Sequence, residues 1–160
     1  ALIDGLDFYP GCRVGRMISR SETETERIAV RFARRVKLGD VIALEGVVGA
    51  GKTVFTRGLC RGLGGRSRVT SPTFKLLNIH ATRQGPLYHI DGYRLAGAPE
   101  FRDAGIEEIV LGGGPAGRGI VVIEWPKGWL RRLRPGSGWT VRVAVAGERR
   151  RTITMIRRVA

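Results

Sequence analysis

Gly46-Val47-Val48-Gly49-Ala50-Gly51-Lys52-Thr53 carries the four fixed residues of GxxxxGK[ST], and the apolar run Val41-Ile42-Ala43-Leu44 leads into it. That order of strand, glycine loop and helix start is the arrangement that binds a nucleoside triphosphate. Backbone N–H groups of such a loop point into one concave nest, and a Cβ at Gly49 or Gly51 would obstruct the phosphate or the backbone angles. Lys52 is placed to reach the β and γ phosphates, and the Thr53 hydroxyl to meet Mg²⁺. The N-terminus of the following helix adds its partial positive charge to the same anion site.

A phosphate loop alone hydrolyses nothing, because the reaction needs a further carboxylate near the metal and a group that orients water. Two carboxylates follow apolar strands: Glu124 after Ile120-Val121-Val122-Ile123, in the form of a Walker B strand, and Asp91 after Leu87-Tyr88-His89-Ile90. In an α/β sheet both strand ends open onto a crevice at the C-terminal edge. Thr73, in Ser71-Pro72-Thr73-Phe74, offers a hydroxyl to the metal or the γ phosphate in the manner of a switch loop. A lone histidine beside a strand carboxylate orients more often than it catalyses, which assigns His89 a supporting role.

The elements that position these groups are legible around them. Ser21-Glu22-Thr23-Glu24 is a capping box, and Ile28, Ala29, Phe32, Ala33 and Val36 recur behind it at helical spacing, with Arg27, Arg31, Arg34 and Arg35 outward. Gly39-Asp40 ends that helix and turns into the strand Val41 to Leu44. The second helix buries Phe55, Leu59 and Leu63 and stops at Gly64-Gly65. Strands are expected over Phe74 to Thr82 and Leu87 to Asp91, turning at Arg83 to Pro86, and a short helix over Pro99 to Val110 breaks at Gly105. After the Gly112 to Gly119 loop come the strand Ile120 to Ile123 and two late strands, 139 to 146 and 151 to 157, joined at Gly147. The fold class that follows is α/β, a P-loop NTPase-like central sheet, mostly parallel with antiparallel additions, with helices on both faces.

Composition bounds the rest. With 160 residues, 42% of them hydrophobic, the chain suits one domain over 1–160, in which residues 1–18 are an extension or edge strand and 127–160 are basic C-terminal strands. Apolar stretches of four or five residues are too short to span a membrane, so a cytoplasmic protein is expected. Cys12 and Cys60 are too few for a zinc site or a disulfide framework, and Cys60 is expected in the core. The formal net charge is +14, and residues 127 to 160 hold ten Lys or Arg against the single acid Glu148. That asymmetry predicts an acidic partner, and a surface of Arg131, Arg132, Arg134, Arg149, Arg150 and Arg151 would suit tRNA without reading its sequence.

Residues 40 to 74, His89-Ile90-Asp91-Gly92-Tyr93-Arg94-Leu95 and Ile123-Glu124-Trp125-Pro126 together resemble the bacterial TsaE family, also called YjeE, in order and spacing. The resemblance covers residues 21 to about 126 and implies an ATPase that works with TsaB and TsaD in threonylcarbamoyl modification of adenosine 37 in tRNA. It implies ATP or ADP with Mg²⁺ as cofactors. Lys52 would be the phosphate lysine, Thr53 and Glu124 the metal ligands, and Asp91 and Thr73 would serve hydrolysis with them. Gly49, Ala50, Gly51 and Val54 would line the nucleotide, Thr25 would lie near the adenine, and Trp125 would be an aromatic wall. Val47-Val48 replaces the acidic residue and leucine usual in that family, at positions facing away from the phosphates. Three rivals stand beside this reading, one of them a non-catalytic RNA-binding protein, which would explain the charge and nothing else. A GTPase lacks its [NT]KxD element here, whereas a small-molecule P-loop kinase with a lid at Arg131 to Arg134 would leave the later motifs unexplained.

Overall fold

The computed structural model describes residues 14–126 and 138–158. In chain order these form β1 (Val14–Ser19), α1 (Glu22–Phe32) with a 3-10 turn at Ala33–Arg35, β2 (Val41–Glu45) and α2 (Lys52–Gly62). There follow β3 (Leu77–Thr82), β4 (Gly85–Asp91), α3 (Ala98–Asp103), α4 (Ile106–Val110), β5 (Ile120–Glu124), β6 (Gly138–Val145) and β7 (Arg151–Arg158). The strands make one sheet in the order β1-β7-β6-β2-β5-β4-β3. Its four central strands, β6, β2, β5 and β4, run parallel, while β3, β7 and β1 join as antiparallel flanks.

The period-2 alternation of the central strands sorts their side chains between two cores. Ile42, Leu44, Leu87, Ile120 and Val122 face α1 and α2, in a cluster with Phe32, Phe55, Leu59 and Leu63. Val41, Ala43, Tyr88, Ile90, Val121 and Ile123 face α3 and α4, packing on Phe101, Ile106 and Ile109. Continuous apolar runs such as Val41 to Leu44 follow from burial on both faces. The helices on both faces match the sequence expectation.

Ser21 caps α1 as expected, its Oγ accepting from Glu24 N at 3.1 Å, and Glu24 accepts from Arg20 N at 2.6 Å. Helices α1 and α2 approach closely because α2 turns glycines towards α1. A Cβ on Gly58 would come 2.8 Å from Ala29 Cβ, and one on Gly62 2.6 Å from Ala33 Cβ. Phe32 fills the space above, its ring edge-on to Trp139 at 5.0 Å between centroids.

The sequence reading places the first strand of the hairpin too early. Residues 73 to 75 form a turn, since Lys75 N and Leu76 N both bond Pro72 O, and Leu76 adopts φ 66° before pairing begins at Leu77. Of the N-terminal segment expected as extension or edge strand, residues 14–19 are edge strand β1 against β7, and the remainder lies outside the described residues. Cys60 is buried in the core, which pushes its thiol pKa up, with the Ser67 side chain opposing that shift.

Candidate nucleotide site

Parallel pairing sets Asp91 of β4 directly opposite Glu124 of β5, and both side chains fall on the α2 face by the alternation that buries Leu87 and Val122 there. One strand over, β2 ends at Glu45 and releases the loop that starts α2. Two carboxylates, a glycine loop and a helix N-terminus therefore meet at the C-terminal edge of the sheet, where ligands of open α/β sheets bind. The cleft between them has a volume of about 520 Å³ and is lined by Gly49, Gly51, Lys52, Thr53, Val54, Thr73, Asp91, Glu124 and Trp125, among others.

Gly49 and Gly51 adopt φ 78° and 105°, with no other heavy atom near a Cβ position, so backbone angle, not crowding, demands glycine. Lys52 is buried, and its Nζ donates to Gly46 O at 2.8 Å and Val47 O at 3.0 Å. The same ammonium lies 4.3 Å from the Trp125 ring centroid. Burial lowers its pKa from the usual lysine value, while the charges of Glu124 and Asp91 oppose that shift.

Both carboxylates are held from several sides. Glu124 Oε1 lies 2.8 Å from His89 Nε2 and accepts from Thr53 Oγ1 at 3.4 Å. Asp91 Oδ2 accepts from Thr73 Oγ1 at 2.9 Å, and Oδ1 from Tyr93 N at 2.9 Å. Ser71 Oγ in turn lies 2.6 Å from Thr73 Oγ1, which ties the switch-like loop to Asp91. His89 thus orients Glu124, while Tyr93 holds Asp91 through its backbone and lays its ring against Trp125 at 5.1 Å. Arg94 lies over the Phe74 ring. Trp125 takes φ 55°, a sparsely populated conformation for a non-glycine residue, at the end of β5 beside the cleft.

The oxygen donors Thr53, Glu124 and Asp91 are the hard ligands Mg²⁺ prefers. Among the described residues no group of three His, Cys, Asp or Glu could hold a metal ion.

Thr25 lies apart, in an adjoining cleft of about 380 Å³ that also takes in Ser21, Gly49, Gly51, Glu148, Arg149 and Arg151. Its hydroxyl is 2.7 Å from Ser19 Oγ. Ala50 is buried, and its carbonyl is held by Arg151 Nε at 3.0 Å. Arg151 is the residue sequence reasoning misassigned. Its guanidinium also donates to the carbonyls of Gly49, Gly147, Glu148 and Arg150, clamping the β6–β7 turn onto the phosphate loop. Nothing local in the sequence signals this contact, which spans about a hundred residues and depends on how the hairpin lies.

Among the described residues the basic C-terminal surface is altered at Arg151. Arg151 is tied to the loop, Arg157 pairs with Asp40 at 2.9 Å, Arg158 donates to Val41 O and Trp139 O, and Arg142 pairs with Glu45 at 2.8 Å. Only Arg149 and Arg150 of that set stand exposed on the turn, and Arg131, Arg132 and Arg134, with the kinase-like lid they suggested, lie outside the described residues. Val47 and Val48 project into solvent at the loop tip. No helix among the described residues is long and apolar enough to cross a membrane.

A glycine loop between a central parallel strand and its helix, with carboxylates on the neighbouring strand ends, defines a P-loop fold. Residues 19–153 match the family model described as threonylcarbamoyl adenosine biosynthesis protein TsaE, and the chain belongs to the TsaE family. It is 39% identical over 140 residues to the tRNA threonylcarbamoyladenosine biosynthesis protein TsaE of Treponema pallidum, spanning 88% of this chain and 98% of that one. The protein of the same description from Bacillus subtilis is 37% identical over 131 residues, covering 82% and 78%. The crystal structure of Bacillus subtilis YdiB superposes with a TM-score of 0.69 at 30% identity, covering 91% of this chain and 86% of that one.

Proposed function

We propose that this chain is the Mg²⁺-dependent ATP-binding and ATP-hydrolysing member of the pathway that makes threonylcarbamoyladenosine in tRNA, acting in the cytoplasm with TsaB and TsaD. One observation carries the reading: at the mouth of the glycine loop Thr53 donates to Glu124 at 3.4 Å and Thr73 to Asp91 at 2.9 Å, with the two carboxylates opposite each other on neighbouring strand ends. A structural lysine or a surface carboxylate needs no such convergence.

In this reading the backbone amides from Gly49 to Thr53 and the N-terminus of α2 bind the phosphates. Lys52 exchanges the carbonyls of Gly46 and Val47 for phosphate oxygens, while Glu124 and Asp91 oppose the lowering of its pKa by burial. A Mg²⁺ ion held by Thr53 and Glu124 would supply charge neutralisation at the phosphates. His89 keeps Glu124 aimed at that position. Asp91 orients the attacking water through the lone pairs left free by Thr73 and Tyr93, and Thr73 links this carboxylate to the 71–74 loop.

Among the described residues no arginine lines the cleft between Lys52 and Asp91, and slow hydrolysis by the isolated protein is expected. Exposed Val48 and Tyr93 line the same cleft, next in sequence or packing to exposed Val47 and Phe74, and suit a protein partner that closes it. Calorimetric titration tests the nucleotide assignment: ATP and ADP bind with Mg²⁺, GTP binds more weakly, and Lys52→Ala loses most of the affinity. Equal affinity for GTP and ATP counts against it.

A further inference from the structure

On the other side of Thr53 and Ser71 from the nucleotide cleft lies a larger groove of about 710 Å³, between α2 and the loop 65–71. Its walls carry Arg57, Arg61, Arg66 and Arg68, and hydroxyls at Thr70 and Ser71 extend the donor row. From this groove we infer that the chain binds the phosphodiester backbone of RNA there, more than through the exposed turn arginines Arg149 and Arg150.

The guanidiniums are held without being neutralised. The half-buried carboxylate of Glu26 sits between two of them, 2.7 Å from Arg57 Nε and 2.9 Å from Arg61 Nη1, while exposed Glu22 reaches Arg57 only at 3.9 Å. One carboxylate shared by two arginines fixes their direction and leaves surplus charge. Arg66 and Arg68 are exposed and have no acidic partner among the described residues.

The loop that carries them is built in. Val69 is buried, Gly65 N bonds Cys60 O at 2.9 Å, Ser67 Oγ lies 2.7 Å from His80 Nδ1, and Asn78 Nδ2 donates to Thr70 O at 3.3 Å. An anchored row of guanidiniums and hydroxyls, in which buried Val69 is the one apolar side chain among the described lining residues, fits phosphates better than it fits a protein side-chain interface, which would need an exposed apolar centre. The groove does not depend on the hydrolysis reading, although Thr53 and Ser71 border both clefts.

The test is fluorescence anisotropy with bulk tRNA over a series of salt concentrations, on the full chain. Wild type binds at low salt. Arg66→Ala/Arg68→Ala raises Kd about tenfold near 0.1 M salt and makes the log–log salt slope shallower by about 1.5 to 2, as the loss of two phosphate contacts requires. Arg66→Lys/Arg68→Lys, which keeps the charge, stays close to wild type. The comparison pair Arg149→Ala/Arg150→Ala loses clearly less than the groove pair. ATP affinity, titrated in parallel, is retained in the groove variants and reports separately on the nucleotide site. Absence of wild-type binding, an unchanged Kd in the alanine pair, or equal losses in the two arginine pairs overturns the inference. So does an alanine pair that loses association with TsaB and TsaD while keeping RNA, because the groove then docks protein.

Discussion

His89 Nε2 lies 2.8 Å from Glu124 Oε1, joining neighbouring strands β4 and β5 through two buried side chains. The contact sets the direction of the one carboxylate that also meets Thr53. A buried carboxylate that loses such a partner keeps its charge cost and gains freedom to turn. His89→Ala is therefore expected to lower ATP turnover by about one to two orders of magnitude through misplacement of Glu124, as outer partners of ligating groups commonly do. Nucleotide affinity measured without metal is unchanged. If turnover stays at the wild-type level, His89 has no part in positioning.

Arg151 links the β6–β7 turn to the carbonyls of Gly49 and Ala50. Removing it leaves those carbonyls to water and frees the loop to wander from its phosphate-binding shape. Arg151→Ala should weaken ATP binding by about 1–3 kcal/mol, the cost of losing charged hydrogen bonds. Isothermal titration measures it, and Arg150→Ala, one residue away on the exposed turn, serves as the comparison that keeps its affinity.

Glycine inside a helix ordinarily costs about 1 kcal/mol relative to alanine, so Gly58→Ala would stabilise an isolated α2. Here the added methyl meets Ala29 Cβ at 2.8 Å and the α1 backbone at Glu26. Overpacking dominates, and the variant is expected to be destabilised by about 1–3 kcal/mol in urea unfolding. A raised midpoint would mean that α1 and α2 separate more readily than their packing indicates.

His80 is buried, and burial followed by the neighbouring His89 lowers its pKa from the usual histidine value. The unfolded chain then takes up a proton at higher pH than the folded chain does. Stability from this residue is present above the ordinary histidine pKa of about 6.5 and is lost as pH falls through the depressed folded value. Thermal unfolding between pH 7.5 and 5 should show this acid loss, and His80→Asn should flatten it. An unaltered acid limb in His80→Asn assigns the loss to other groups.

The parts of the candidate cleft are legible in the sequence because they are local patterns. Gly46 to Thr53 names its own backbone shape, and the strands before Asp91 and Glu124 end in carboxylates at a sheet edge that topology makes common. What escaped depends on distance along the chain. The direction of the C-terminal hairpin decides that Arg151 faces the loop and that Arg157 meets Asp40, so that both are drawn into contacts within the fold. The start of β3 was missed because Phe74, Leu76 and Leu77 look like strand residues, whereas the bonds from Lys75 and Leu76 back to Pro72 hold that stretch as a turn. Composition located an excess of positive charge but not the groove between α2 and the 65–71 loop, since Arg57, Arg61, Arg66 and Arg68, though close in sequence, share one wall only through the way the chain turns after α2.

The central claim is that Glu124 and Asp91 form the hydrolytic end of an ATP site begun by Lys52 and Thr53. Steady-state release of phosphate from Mg²⁺-ATP tests it, on the wild type and on Glu124→Ala and Asp91→Ala, each alone and with TsaB and TsaD. The account predicts slow wild-type turnover that changes when the partners are added. In both variants it predicts turnover lower by about two orders of magnitude or more, with ATP still bound. Wild-type turnover in either variant would contradict it.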